Sequence, residues 1–249
     1  KWYGNAFRKM IDWFEYIFVQ DNSSLEVLQS FGYYHAQLSG DTRLDRVRDL
    51  VKNARELPLL DTFRQNQRLF IAGSTWPRDE ELIFRFYEQY EKPFKMVIAP
   101  HEVHASNIAR LEANLHKYTI VKFSEATTEK LREADILIID SIGLLSALYR
   151  YGDFAYIGGG FGKGIHNLLE AATWGIPVVF GPNHHKFKEA HDLIQGGGGF
   201  AVSDFFFFFF VYTKFLNDPS FMKNAGKAAQ AYVEEHAGAT DLILQKVFQ

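Results

Sequence analysis

The segment Ala155 to Ala172, AYIGGGFGKGIHNLLEAA, combines an apolar run, a glycine-rich loop and the start of a helical pattern. Glycines let a backbone approach an anion without interference from a Cβ. The first turn of a helix adds N–H groups without intrahelical partners at the positive end of its dipole. Gly159, Gly160 and Gly164 are the candidate contacts, and the expected guest is a phosphate or a phosphate-bearing ligand. The loop lacks the Lys-Ser/Thr ending of a P-loop. Asn167 and Glu170 stand three residues apart, a spacing that places both on one helix face, where a carboxylate can accept hydrogen bonds from two ribose hydroxyls. The alternative is structural, with Asn167 as a local cap and Glu170 as a solvated carboxylate beside it.

Positioning such a loop requires a sheet. Leu69–Ala72, Lys95–Ala99, Thr119–Lys122, Ile136–Ile139, Phe154–Ile157, Val178–Phe180 and Gly199–Val202 are short apolar runs of the kind that form buried strands. Helical patterns at Asp79–Tyr90, His104–His116, Leu144–Tyr149, Leu168–Trp174 and Phe187–Ile194 separate most of them. Alternation of this kind predicts an α/β fold, a Rossmann-like parallel sheet with helices on both faces. Ligands of such sheets sit at the carboxyl ends of the strands. Ala72-Gly73-Ser74-Thr75, Ala99-Pro100-His101-Glu102, Asp140-Ser141-Ile142-Gly143 and Gly181-Pro182-Asn183 fall at such ends and should converge with the glycine loop on one crevice.

Before the sheet, a helical stripe from Phe7 to Phe18 runs into a short strand ending at Val19, and Ser23-Ser24 is placed to cap a helix from Leu25 to Phe31 that Gly32 ends. His35–Ser39 reads as another strand. Gly40 to Gln67 is the expected boundary region, so residues 1–45 form the tail of a preceding domain and residues 46–249 a nucleotide-binding domain. Two helices, near Ser220–Glu235 and Thr240–Phe248, close the chain. Phe205–Phe210 is a run of six phenylalanines. Six apolar residues in succession give neither an amphipathic strand nor an amphipathic helix, so the run must be buried all round, paired with a partner or wrongly recorded.

Composition narrows the classes. The 249 residues carry 27 Lys and Arg against 30 Asp and Glu, a formal charge of −3, so no basic field favours nucleic acid. There is no cysteine, which excludes thiolate metal sites and cysteine nucleophiles and fits a reducing compartment. No apolar run reaches the roughly 18–20 residues of a membrane span, so the chain is expected to be soluble. It begins with Lys1 rather than Met and reads as part of a longer polypeptide. Trp2, Tyr3, Trp13, Phe14 and Tyr16 then read as core uncovered by truncation, or as a membrane-facing or acceptor-binding surface. His184-His185 lacks the helical spacing of a zinc motif, and no metal is expected.

The order of AGST, APHE, IGLLSALYRYGDFAYIGGGFGKGIHNLLEAATWGIPVVFGPNHHKFKEA and GGGFAV resembles the C-terminal domain of bacterial 3-deoxy-D-manno-octulosonic acid (Kdo) transferases, glycosyltransferases of the GT-B type, and SGDTRLDRV resembles their interdomain segment. The likeness runs from Val19 to about Asp204. It implies CMP-Kdo as donor substrate, a lipid A precursor as acceptor, a place in lipopolysaccharide core biosynthesis at the cytoplasmic side of the bacterial inner membrane, and inversion without metal or cofactor. It also implies that the general base, the acceptor site and the membrane contact belong to the N-terminal domain, so that this chain binds donor without transferring sugar and contains no catalytic residue.

By the same resemblance Ser74 and Thr75 bind the donor phosphate, Asn167 and Glu170 the ribose, Pro100 and His101 flank the nucleotide, and Ile142, Gly143 and Leu144 offer backbone groups to cytosine. The family commonly carries an arginine where this chain has Ala99-Pro100-His101-Glu102, leaving His101, His104 or Lys163 as substitutes. A UDP-sugar glycosyltransferase or epimerase of the same architecture remains an alternative, separable by competition between UDP and CMP. So does a noncatalytic α/β binding module, which predicts no nucleotide affinity. A Rossmann oxidoreductase fits less well, because the loop comes late in the chain and no acidic residue ends the following strand.

Overall fold

The computed structural model describes residues 4–248; Trp2 and Tyr3 lie outside the described residues. Contacts divide the chain into two compact units, residues 1–49 with 235–249, and residues 50–234. The expected boundary after residue 45 falls inside a helix, and the chain's last helix groups with the amino-terminal residues.

The smaller unit comprises α1 (Gly4–Ile11), β1 (Ile17–Val19), α2 (Asn22–Ser30), β2 (Ala36–Leu38) and the greater part of α3 (Thr42–Asn53). Strands β1 and β2 pair in parallel, Ile17 opposite Ala36. The cap of α2 is Asp21, whose Oδ1 accepts from the Ser24 amide at 2.7 Å, not the Ser23-Ser24 pair. A carboxylate is the stronger acceptor for an amide at a positive helix end. Gly32 follows with φ +90°, the left-handed turn expected there. Buried Asp45 of α3 accepts from the Gly238 and Thr240 amides at 2.5 and 2.7 Å, which anchors the carboxyl-terminal helix. Trp13 and Phe14 are exposed.

The larger unit runs α4 (Leu59–Arg64), β3 (Leu69–Thr75), α5 (Pro77–Gln89), β4 (Lys95–Pro100), α6 (Ala105–Asn114), β5 (Ile120–Lys122), α7 (Thr128–Glu133), β6 (Ile136–Ile138), α8 (Leu145–Leu148), β7 (Phe154–Ile157), α9 (Leu169–Ala172), β8 (Val178–Phe180), α10 (Lys188–Gly196), β9 (Gly199–Ala201), α11 (Phe205–Asn217) and most of α12 (Pro219–His236). The carboxyl-terminal helix of the smaller unit is α13 (Ala239–Val247). All seven expected strands form, in the order β5-β6-β4-β3-β7-β8-β9, and every pairing is parallel. This is a Rossmann-like α/β sheet flanked by helices. The region expected as an interdomain stretch instead contains α3 and α4.

Central strands β3 and β4 are buried along almost their whole length, which is why they read as continuous apolar runs without alternation. Fully burying one such side chain contributes about 1.5–3 kcal/mol. Phe70 of β3 stacks on Phe154 of β7 at 5.3 Å, and Tyr212 of α11 packs on both rings. The phenylalanine run therefore forms the first turns of a helix, capped by Asp204 accepting from the Phe207 amide. It is not buried all round: Phe208 is fully enclosed, while Phe206, Phe207 and Phe210 are 73, 50 and 58% exposed. Helical spacing sends Phe208, Tyr212 and Phe215 inward together, so the uniform sequence still has one buried face. Among the described residues no helix is long and apolar enough to cross a membrane.

Candidate functional site

Chain order and sheet order diverge at β3. Its neighbour on one side, β4, follows directly in sequence, and its neighbour on the other, β7, begins about 80 residues later. Open parallel sheets hold their ligands outside the carboxyl ends of the strands at such a switch point. Ser74 and Thr75 end β3, Pro100 ends β4 with His101 directly after it, and Gly158–Gly160 leave β7.

Close backbone packing accounts for two of those glycines. A Cβ on Gly158 would lie 2.1 Å from the Ser74 carbonyl oxygen, and one on Gly160 would lie 2.6 Å from the Gly181 Cα. Ser74 itself has φ +52°, a left-handed conformation at the point where the β3–β4 register shifts. A non-glycine residue there is strained, and strain of this kind concentrates at functional sites. The Ser74 hydroxyl makes no hydrogen bond among the described residues. Thr75 differs: its hydroxyl is buried and donates to Glu80 Oε1 at 3.0 Å, and Glu80 in turn receives Arg110 at 2.6 Å.

Asp79 ties the loop together. This buried carboxylate accepts from the Tyr156 hydroxyl at 2.7 Å, the Gly159 amide at 2.9 Å and the Trp76 amide at 2.9 Å. It joins β7, the glycine loop and the first turn of α5. The Gly159 N–H is thus committed inside the chain, and α9 after the loop has only four residues, fewer than the Leu168–Trp174 pattern predicts. The Asp79 position is legible in Trp76-Pro77-Arg78-Asp79, where Pro77 opens the helix and Asp79 occupies the third helical position.

Above this frame lies a stack of rings. Trp76 and His101 are 4.7 Å apart at 27°, and His101 and His166 are 4.3 Å apart at 23°. The Trp76 indole N–H donates to His166 Nε2 at 3.0 Å. His101 was expected in the crevice; Trp76 and His166 were not singled out in the sequence, since each gains its meaning only from the other two. Burial, with the neighbouring His101, lowers the His166 pKa, opposed by the Asp79 carboxylate. Of the other two basic substitutes, His104 lies 3.4 Å from Glu102 and Lys163 is exposed on the loop.

Asn167 and Glu170 do stand together: the Asn167 amide donates to Glu170 Oε1 at 3.0 Å, while its oxygen accepts from the Leu169 amide at 3.1 Å. Burial pushes the phenol of Tyr149 far up, with Glu170 adding to the effect, and the Tyr149 hydroxyl occupies the space where a Cβ of Gly73 would be. Gly164 has φ +145° and faces the Phe187 ring. After β6, Ile142 is 87% exposed, Gly143 has φ +88° and Leu144 is buried. His184, His185 and His191 cluster with ring centroids 4.9–6.3 Å apart, yet no group of three or more metal-ligating side chains among the described residues is arranged to hold an ion.

With this geometry in view, no family model matches the chain. A Kdo transferase of Aquifex aeolicus is 30% identical over 152 residues, 59% of this chain and 41% of that protein. The Kdo transferase of Chlamydophila psittaci is 29% identical over 80% of this chain and 44% of its own. The chain is similar to Kdo transferases over most of its length. It spans about half the length of these curated relatives. Among solved structures, the C-terminal CMP-Kdo binding domain of WaaA from Acinetobacter baumannii superposes with a TM-score of 0.59 at 17% identity, covering 76% of this chain and 96% of that domain. A UDP-N-acetylglucosamine 2-epimerase from Listeria monocytogenes gives 0.62 at 14% identity over 92% of this chain and 58% of its own. Identities this low establish the fold, that of GT-B glycosyltransferase-like proteins. The family named from the glycine loop and strand ends is the one whose name these relatives bear.

Proposed function

We propose that this chain is the donor-binding part of a Kdo transferase, which binds CMP-Kdo and contributes to transfer of Kdo to a lipid A precursor in lipopolysaccharide biosynthesis. The observation that carries the reading is the sequence similarity to Kdo transferases over most of this chain, joined to the superposition on a CMP-Kdo binding domain. In this reading the cytidine nucleotide lies at the carboxyl ends of β3, β4, β6 and β7. Ser74 and the ring stack meet the phosphate, Asn167 and Glu170 the ribose, and Ile142–Leu144 the base. Departure of the nucleotide is assisted by hydrogen bonds and positive charge at the phosphate, without a metal. We assign the general base, the acceptor site and the contact with the cytoplasmic face of the inner membrane to the part of the relatives that this chain does not match. The isolated chain therefore binds donor nucleotide but leaves CMP-Kdo and a lipid A precursor unreacted; rapid transfer by the chain alone would refute that division of labour.

A second reading follows from the superposition on proteins solved in complex with UDP ligands, among them Anabaena Alr3699/HepE in complex with UDP-glucose, TM-score 0.57 at 11% identity over 92% of this chain and 61% of its own. It keeps the fold and exchanges the base. Displacement of bound CMP by UDP at equal concentration would favour it.

A further inference from the structure

The ring stack spans three segments: Trp76 after β3, His101 directly after β4 and His166 in the glycine loop. Its hydrogen bonding is unequal. Because the Trp76 indole can only donate, His166 Nε2 must accept, which leaves the ring proton of neutral His166 on Nδ1. Neither His166 Nδ1 nor either ring nitrogen of His101 has a hydrogen-bond partner among the described residues. His101 is exposed and lies between the indole and the second imidazole, with both centroids inside the range at which an aromatic face attracts a cation. Two imidazolium rings 4.3 Å apart would repel, so the pair accommodates one proton. A second proton on His166 would also break the bond from Trp76. The charged groups bearing on His166 are His101 and the Asp79 carboxylate, and Asp79 already accepts from three donors of the chain itself.

We infer that His101 and His166 form a one-proton anion clamp for the phosphate of the bound nucleotide, with Trp76 as a positioning residue that fixes the His166 tautomer. His101 carries the proton and meets the phosphate as an imidazolium, while His166 donates through Nδ1. This rests on the nucleotide-binding reading and adds to it a proton-linked mode of phosphate recognition. Phosphate affinity is then tied to pH through an imidazole, unlike an arginine or lysine contact.

The test is calorimetry of the whole chain with CMP and, separately, with cytidine, between pH 7.5 and 9, in two buffers of different ionisation enthalpy. The CMP phosphate, with a second pKa of about 6, stays dianionic across this range, so proton exchange reports on the protein. The expected result is uptake of up to about one proton per CMP and an affinity that falls by up to about tenfold per pH unit. Cytidine takes up none, and His101→Gln abolishes the uptake. Trp76→Phe keeps a stacked ring but removes the N–H, so the His166 ring nitrogens move away from a pure Nδ1–H pattern by 15N NMR; an unchanged pattern overturns the role of Trp76. Equal CMP affinity at pH 7.5 and 9 without proton uptake, or uptake that survives His101→Gln, overturns the clamp and leaves nucleotide binding standing. Absence of binding by both CMP and cytidine overturns both.

Discussion

Replacing Asp79 separates its size from its charge. In Asp79→Ala the Tyr156 hydroxyl and the Gly159 amide, both buried, lose the one acceptor each has among the described residues, whereas the Trp76 amide lies beside exposed surface that water can reach. A buried polar group left without a partner costs about 1–3 kcal/mol, so Asp79→Ala should destabilise the larger unit by about 3–5 kcal/mol. That is a large share of the ~5–15 kcal/mol that holds a typical domain folded. Asp79→Asn keeps the volume. Its amide oxygen can accept both backbone N–H groups and its NH2 can donate to the Tyr156 oxygen, so the loss is the charged character of the bonds and the acceptor of the Tyr156 O–H, about 1–3 kcal/mol. Urea unfolding followed by far-UV circular dichroism, with both variants at one pH, measures the two numbers. Equal costs for Asn and Ala, or an Ala variant within about 1 kcal/mol of the parent, would refute the view that Asp79 holds loop, strand and helix together by hydrogen bonds.

The glycine loop should discriminate sharply by position: Gly160→Ala meets the Gly181 backbone at 2.6 Å and should cost about 3 kcal/mol or more, whereas Gly162→Ala, with its nearest atom at 3.5 Å, should change urea stability by less than about 0.5 kcal/mol. In α11, Phe208→Ala should cost about 3–5 kcal/mol in urea unfolding while Phe206→Ser stays near zero. Because His166 has a lowered pKa in the folded chain, the folded state binds its proton later than the unfolded one. Stability is therefore full above the unfolded value of 6.5 and falls as pH drops through it towards the folded value. Thermal melts from pH 7.5 to 5.5 should show this, and His166→Gln should flatten part of the slope, His184 supplying another part through its own lowered pKa.

How much of this was legible in the sequence depends on range. The strands were readable because parallel strands covered on both faces leave uninterrupted apolar runs, and each run from Leu69 to Gly199 became one. Helix α3 was not, although Leu44 and Val47 give it a buried stripe, because its many charges read as a linker. Helix α11 hid its periodicity in six identical residues; only the continuation through Tyr212 and Phe215 reveals which face turns inward. The places of Ser74 and His101 at strand ends followed from local pattern. The Asp79 bonds span 77 and 80 residues, and Trp76 and His166 meet across 90, so no local pattern announces them. Thr75, which the resemblance assigns to the phosphate, has its hydroxyl turned inward to Glu80, a contact no local pattern shows.

Calorimetric titration of the chain with CMP, beside UMP and NAD, and repeated with Glu170→Ala, addresses the central claim most directly. The account predicts that CMP binds in preference to the other two and that Glu170→Ala weakens it by about tenfold, the ~1.4 kcal/mol of one lost charged hydrogen bond. Preference for UMP or NAD, or no nucleotide binding by the folded chain, would contradict it.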